Sequence, residues 1–593
     1  MIRRWCEIIS IGSLFCAPTF AQSTTRVSVG SGGAQGDGFG LSPSMFPDGR
    51  YVAFTSYASN LVPGDTNGFA DVFVRDMLSG TLTRVSVDSN GAQGNGLSVG
   101  PSVSADGRYI AFGSNASNLV PGDTNLHRDI FVHDMLSGAT TRVSVDSNGS
   151  QSSTDSYDAS ISSDGRYVAF DSFSFNLVPG DTNGFSDVFV HDRVSGTTTR
   201  ASVHSSGAQG NNDSFTPSIS ADGRYVVFWS NATNLVAGDT NGFSDVFVHD
   251  MLLGITTRVS VSSSGVQGNW DSGIGVVSIS SDGRYVAFTS KAVNLVSGDD
   301  NAKEDVFVHD MLSGTTERVS VDSSGAQCHG DNSQPSISAD GRFVAFFSNA
   351  SDLVPGDVIG TYDVFVHDRV SGATTCVSVD PNGVPGNGSN FLPLTCAVSA
   401  DGRYTAFASD ASNLVSGDTN GISDVFLRDR GAASAFVSLC FGDGTGGSCP
   451  CGNTGSPGHG CDNSAATGGA LLSSSGVASL SSDSVLLTSS GELSTALSIV
   501  LQGSSVTAPI AFGDGLRCAG GSLKRLYTKH AIGGVVHAPE AGDPSISSRS
   551  AALGDLIPFG ATRAYQVYYR DPNLGFCPGG FNVSSAVAIA WGT

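Results

Sequence analysis

The tripeptide Asp-Gly-Arg begins at Asp48, Asp106, Asp164, Asp222, Asp282, Asp340 and Asp401, in steps of 58, 58, 58, 60, 58 and 61 residues. Seven copies of one unit at a near-constant period point to a solenoid, an array or a propeller. The order within a unit is constant. In unit four, Pro217 to Ser220 leads into the turn Asp222-Gly223, and the apolar run Tyr225 to Ser230 follows. The loop Asn234 to Gly242 comes next, then Asp245-Val246-Phe247-Val248, then Thr256-Thr257-Arg258-Val259-Ser260-Val261. β-Branched runs bounded by Gly, Asp and Asn predict four short strands per unit. Four strands repeated radially make propeller blades, and seven blades lie within the usual range. The last-strand motif also stands ahead of the first unit, as Thr24-Thr25-Arg26-Val27-Ser28-Val29. That stray strand is expected to complete blade seven and hide the open edge of the ring. A weaker copy, Ala435-Phe436-Val437-Ser438-Leu439, competes for the same place, and the N-terminal strand is the better match.

The motif Ser218-Ile219-Ser220-Ala221-Asp222-Gly223-Arg224-Tyr225-Val226-Val227-Phe228, followed by Asp245-Val246-Phe247-Val248, resembles TolB-type WD-like propeller repeats. The resemblance covers roughly residues 24–440. It implies the fold and says little of function, because such repeats serve interaction scaffolds and enzyme-associated propellers alike. The scaffold role of TolB itself is not carried over, since this chain has seven repeats and no visible N-terminal partner domain.

Composition agrees with an all-β chain. Charged residues make up 14% of the 593 residues, Gly reaches 76, and Lys occurs only at 291, 303, 524 and 529. The formal net charge of -24 disfavours nucleic acid and anionic membrane surfaces, which demand clustered Lys and Arg. Most of the acidity belongs to the blade motif, because 28 of the acidic residues are four Asp repeated in seven units. It is therefore a weak sign of a cationic partner.

Residues 1–21 combine Arg3 and Arg4, an apolar stretch from Ile8 to Phe15, and the end Thr19-Phe20-Ala21. This is the three-part pattern of a secretory signal and implies a secreted, periplasmic or cell-envelope protein. The run is too short to span a bilayer, and no later segment is long enough. The expected organisation is a signal peptide at 1–21, a seven-bladed propeller at 22–440 and a smaller Cys/Gly-rich β domain at 441–593. In that last part Ser/Thr alternates with aliphatics, which predicts a β-sandwich. Six cysteines (Cys440, Cys449, Cys451, Cys461, Cys518 and Cys577) lie there, and export implies disulfides among them, with fifteen connectivities open. Cys328, Cys376 and Cys396 leave an odd number in the propeller, so at least one is free or pairs beyond it.

Two groups of residues are candidates for a site. Hard cations bind oxygen-rich loops. The spacing of oxygen side chains in Asp65-Asn67-Asp71, Asp181-Asn183-Asp187, Asp239-Asn241-Asp245 and Asp418-Asn420-Asp424 makes calcium a possible cofactor, with a plain Asx turn as the simpler reading. The loops resemble shortened versions of the calcium loops of integrin-type propellers but lack an additional Asp-Gly. Unit six loses the middle ligand, and unit two places Arg128 in the loop. The second group lies where the repeats diverge. Trp270, Asp271 and His329 offer a stacking ring and polar groups suited to a ligand such as a sugar. His133, His191, His249, His309 and His367 share one repeat position, exchanged for Arg75 and Arg428 elsewhere, and read as structural residues at the blade surface.

No Gly-x-Ser-x-Gly elbow or His-Glu-x-x-His helix occurs. A glycosidase needs two carboxylates about 5–10 Å apart, and the sequence assigns no such pair. The reading preferred is an exported, non-enzymatic and monomeric propeller that presents its loops to a protein or glycan. The alternatives are a carbohydrate-active hydrolase or lyase acting at the propeller mouth, and a calcium-stabilised structural surface protein.

Overall fold

The computed structural model describes residues 22–591, apart from 31, 358–361, 389–394, 432–435, 444–447, 457–458, 476–477, 479, 481–482, 541, 559–560 and 574–579. The signal segment, Ala435 and Cys577 lie outside the described residues. The chain divides into two compact units, Met1–Ala432 and Ala433–Thr593.

The first unit is a seven-bladed β-propeller of seven four-stranded antiparallel sheets. Blade four shows the pattern: Ser214–Ile219, Tyr225–Ser230, Asp245–Asp250 and Ile255–Arg258, each paired with the next. First strands lie against the first strands of both neighbouring blades all the way round, and Cys396–Val398 of blade seven meets Gly40–Met45 of blade one. The ring is therefore closed, with the first strands at its centre. Its closing strand is N-terminal. Ser23–Arg26 pairs with Asp424–Asp429, with Thr25 opposite Leu427. The competing segment, Phe436–Leu439, pairs instead with Phe581–Ala590 of the second unit.

Each residue of Asp-Gly-Arg has its own task. Asp222 accepts hydrogen bonds from the Arg224 backbone N–H and the Ser220 hydroxyl, tying the turn. Gly223 adopts φ +74°, where a side chain is strained, and a Cβ there would lie 2.1 Å from the Tyr167 ring of the preceding blade. Arg224 forks onto Asp250 at the end of the third strand, 2.7 Å away. Apolar contacts then run between blades. Val227, Val246 and Val248 of blade four pack with Val286, Phe288 and Phe307 of blade five, all buried. Each such side chain contributes about 1.5–3 kcal/mol when fully buried.

Polar contacts join the blades too. Ile219 donates its backbone N–H to Ser160 of the preceding blade's first strand, and Ile161 does the same to Ser102. Further out, the Thr140 hydroxyl donates to the Val87 carbonyl of the preceding blade, and Thr24 of the closing strand donates to Val379. The repeated histidines belong to this contact. His133, His191, His249, His309 and His367 are buried, not at the blade surface as the sequence suggested. His133 Nδ1 lies 2.9 Å from the Thr140 hydroxyl, whose hydrogen is committed to Val87, so Nδ1 carries the proton. In blade one Leu82 replaces that Thr, and Arg75 reaches the equivalent Val29 carbonyl directly, at 2.7 Å. His and Arg exchange because both serve the same blade-to-blade contact.

The second unit has a five-stranded sheet and a three-stranded sheet. Leu472 and Leu487 from the small sheet share one core with Val500, Tyr565, Val567 and Ile589 from the large one, giving the expected sandwich-like packing. The long hairpin Leu497–Phe512 with Gly515–His530 and the helix Ile546–Ala552 have no clear signature in the sequence. Cys440 bridges Cys518, Cys449 bridges Cys461, and Cys451 is also disulfide-bonded. Cys328, Cys376 and Cys396 are unbridged. These bridges are consistent with an extracytoplasmic protein. Among the described residues no helix is long and apolar enough to cross a membrane.

Burial pushes the pKa of all five repeated histidines below 6.5. The unfolded chain then binds protons that the folded imidazoles refuse, so this contribution to stability falls as pH drops from 6.5 toward the folded pKa values. Buried carboxylates with raised pKa, such as Asp305 at about 6, act in the opposite direction, so the test must be specific to each residue. Imidazole NMR titrations should place all five below 6.5, and midpoints at or above 6.5 would contradict the burial argument.

Candidate functional site

Strand register sets one face of the propeller apart. Gly40 pairs with Ser56 and Ser56 with Asp71, so the start of strand one, the end of strand two and the start of strand three lie together. Loops joining strands two and three, and loops leading from one blade into the next, therefore share this face. The Asp-Gly-Arg turns lie on the other.

The four candidate calcium loops are on this face. In each, a guanidinium from the fourth strand of the same blade sits between the two carboxylates. Arg258 Nη1 lies 3.1 Å from Asp239 and 3.2 Å from Asp245. Arg200 lies 3.1 Å from Asp181 and 2.9 Å from Asp187, and Arg84 pairs with Asp65 and Asp71 at 3.5 and 3.4 Å. Blade seven takes its arginine from the closing strand, where Arg26 pairs with Asp418 and Asp424 at 3.3 and 3.6 Å. The asparagines form Asx turns. Asn241 accepts from the Phe243 N–H and donates to Asp245, and Asn67, Asn183 and Asn420 donate likewise to Asp71, Asp187 and Asp424. The Ser260 hydroxyl donates to the other oxygen of Asp245. Burial raises the pKa of Asp71, Asp181, Asp239, Asp245, Asp418 and Asp424, with arginine or hydroxyl partners opposing it. Oxygens that spacing offered to calcium are thus engaged by an arginine and local hydrogen bonds. Among the described residues no group of three or more His, Cys, Asp or Glu is arranged to hold a metal.

Trp270 and Asp271 are neighbours with different surroundings. Trp270 is 50% exposed and stacks on Phe243 with centroids 5.1 Å apart. Asp271 is turned inward, accepting from the Ser244 N–H at 3.0 Å and its hydroxyl at 3.2 Å. Asp213 holds Ser186 in the same way one blade earlier, so Asp271 anchors a loop. His329 stands one blade further on and pairs with Asp352, which raises the imidazole pKa. The structure thus groups Trp270 with Asp271 and does not bring His329 into contact with either. Nearby, Lys303 pairs with Asp331 at 3.2 Å. Burial raises the pKa of Glu304, which Lys291 opposes.

A second cluster escapes sequence reasoning. The Arg128 guanidinium lies over the Tyr157 ring at 5.0 Å, beside Asp158 and Asp171. Asp158 occupies a left-handed bulge of its first strand, φ +48°, and is exposed, whereas Asp171 is buried. Thr216 donates its backbone N–H to Asp171 at 3.3 Å and accepts from Trp229 Nε1 at 3.2 Å. The Phe215 ring lies tilted against Trp229 at 5.0 Å and edge-on to Phe173 at 6.1 Å. The one signal in the sequence is Gly113. A Cβ there would lie 2.5 Å from Arg128 Nε, and the other units carry a side chain at that position.

No family model matches the chain, and no curated protein does either. Among solved structures, an oligogalacturonate lyase from Vibrio parahaemolyticus is similar at 12% identity and TM-score 0.43, covering 68% of this chain and 93% of that one. TolB from Acinetobacter baumannii is 14% identical with TM-score 0.32, covering 65% and 82%. An acylaminoacyl peptidase from Pyrococcus horikoshii is 11% identical with TM-score 0.39, covering 66% and 51%. Likeness at this level concerns fold alone. The repeated four-stranded sheets fit a TolB-like β-propeller, here followed by a disulfide-bearing β domain.

Replacing Arg258 by Met should lower stability by about 3 kcal/mol or more, because it leaves two buried carboxylates without their cation. EDTA should leave the wild-type melt unchanged. A clear fall with EDTA, restored by calcium, would return the loops to a metal role.

Proposed function

We propose that this chain is an extracytoplasmic, non-enzymatic binding protein whose propeller presents one loop face to a protein or glycan. The observation that carries this reading is the gathering of exposed aromatics on that face. Phe39, Tyr57, Phe69, Phe173, Phe175 and Trp270 flank the strand ends there and remain exposed. Side chains of this kind supply stacking area to a partner. Trp270 is the leading contact because Phe243 beneath it holds the indole in place. Unit five also carries a two-residue insertion, and its first strand is only Ser278–Ile279, so this part of the face departs from the repeat.

A carbohydrate-active hydrolase or lyase is the second reading, favoured by the neighbouring carboxylates Asp158 and Asp171. Both readings meet in one experiment. The mature protein is incubated with soluble and insoluble polysaccharides while co-sedimentation, reducing ends and unsaturated products are followed together. Retention without turnover is expected for a glycan ligand, and Trp270→Ala should weaken it several-fold. New reducing ends or unsaturated products would overturn the non-enzymatic reading. If no polysaccharide is retained and an envelope pull-down also yields no partner dependent on Trp270, the binding reading fails.

A further inference from the structure

Five described blades show what the first strand places at its bulge: Ser42, Gly100, Asp158, Thr216 and Gln334. Only Asp158 is charged. Asp171 lies beside it across the register step that pairs Tyr157 with Asp171. Burial, and then the charge of Asp158, push the Asp171 carboxyl well above its ordinary range. Surrounding protein raises Asp158 as well, against Arg128 and Thr216. The two carboxyls are coupled, each disfavouring ionisation of the other.

Arg128 supplies a second, independent sign. Its side chain makes no hydrogen bond among the described residues, and its Nε is shut off from solvent without a partner. Other arginines also have an unpartnered Nε, but Arg84, Arg142, Arg200 and Arg258 are ion-paired through Nη1, whereas the Nη groups of Arg128 are left for a partner from outside the chain. Room for this side chain comes from Gly113, where a Cβ would stand 2.5 Å from Arg128 Nε. The third component is the apolar shelf of Phe173, Phe215 and Trp229 described above.

We propose that Arg128, Asp158 and Asp171, with the shelf of Phe173, Phe215 and Trp229, form a subsite for a neutral saccharide ring where blades two to four meet the centre of the propeller. This deepens the binding reading given above and rests on it. Charge selects the ligand class. Arg128 stands beside the two carboxyls, so groups of both signs line the cluster. A cationic ligand would meet Arg128. An anion would meet the carboxyls within a propeller carrying most of the chain's net charge of -24. A neutral sugar meets neither cost. Its apolar C–H face lies on the aromatic rings, its hydroxyls donate to a carboxylate, and its oxygens accept from the guanidinium fork.

The test is titration calorimetry of the full mature protein with short neutral, uronate-containing and amino-sugar oligosaccharides at low and high salt. A neutral trisaccharide is expected to bind with little dependence on salt. Asp158→Asn and Arg128→Met should each weaken it by about tenfold or more, the worth of one hydrogen bond to a charged group. Asn tolerates the left-handed backbone at position 158, so loss of binding there is not loss of fold. Leu312→Ser, on the opposite face, should bind as wild type. Binding that survives both substitutions but falls with Trp270→Ala would overturn this subsite and leave the wider reading of the face intact. Preference for uronate or amino-sugar probes would overturn the charge argument. Absence of binding to every probe would overturn the subsite and leave the face to protein ligands.

Discussion

The structure depends on the contact that each blade makes with the one before it. Outer strands of three or four residues are too short to form a stable sheet alone, and a single blade buries apolar side chains on only part of its surface. The segment just past the fourth strand of one blade offers a carbonyl, and a Thr hydroxyl of the next donates to it, as Thr198 donates to Val145. Nearer the centre a Ser hydroxyl receives a backbone N–H across the same junction. Around these bonds the Val and Phe clusters close. The N-terminal strand supplies what blade seven lacks in each respect: the Thr24 hydroxyl, the Arg26 guanidinium and the Val27 side chain within an apolar cluster. Sequence neighbours build the blades, and one distant segment closes the ring.

Charge is managed by the same repeats. In blade four Arg224 takes Asp250, Arg258 takes Asp239 and Asp245, and Asp222 accepts hydrogen bonds within its own turn. Two arginines thus meet three of the four repeated carboxylates, and the fourth is satisfied locally. The acidity of the propeller is an outcome of how blades are stapled. It gives no reason to look for a basic partner, and it makes places where the staple pattern is abandoned more informative than the net charge.

Much of the fold is legible in the sequence because the repeat reports itself. Asp-Gly-Arg marks seven turns, and Thr24-Thr25-Arg26 marks the closing strand by its likeness to the fourth strand of every other blade. Legibility ends where one residue's partner lies on another element. The spacing of Asp239, Asn241 and Asp245 suggests calcium because Arg258 stands far along the chain. Yet the chain itself holds a warning: unit six, which loses the middle Asn, also has Cys376 where the others have Arg. The histidines resemble surface groups because exchange with Arg looks permissive, whereas Arg reaches a carbonyl of the preceding blade directly and His holds the Thr hydroxyl that does so. In the second unit, Gly515–His530 pairs with Leu497–Phe512 at an irregular register that no alternation pattern announces. Arg128, Asp158 and Asp171 come from two blades and become a group only when those blades are set side by side.

Symmetry therefore divides the molecule into frame and function. The frame repeats nearly the same residues at each junction, and the proposed binding sites lie where the face departs from them. That division holds only if the N-terminal strand is an integral part of the ring. Native-state hydrogen exchange at the Val27 amide, which donates to the Val425 carbonyl at 2.7 Å, measures this directly. The account predicts that Val27 exchanges only through the opening that frees the central strands of the blades, at the same free energy. Exchange of residues 23–29 at a distinctly lower free energy, while blades one to six remain protected, would contradict it.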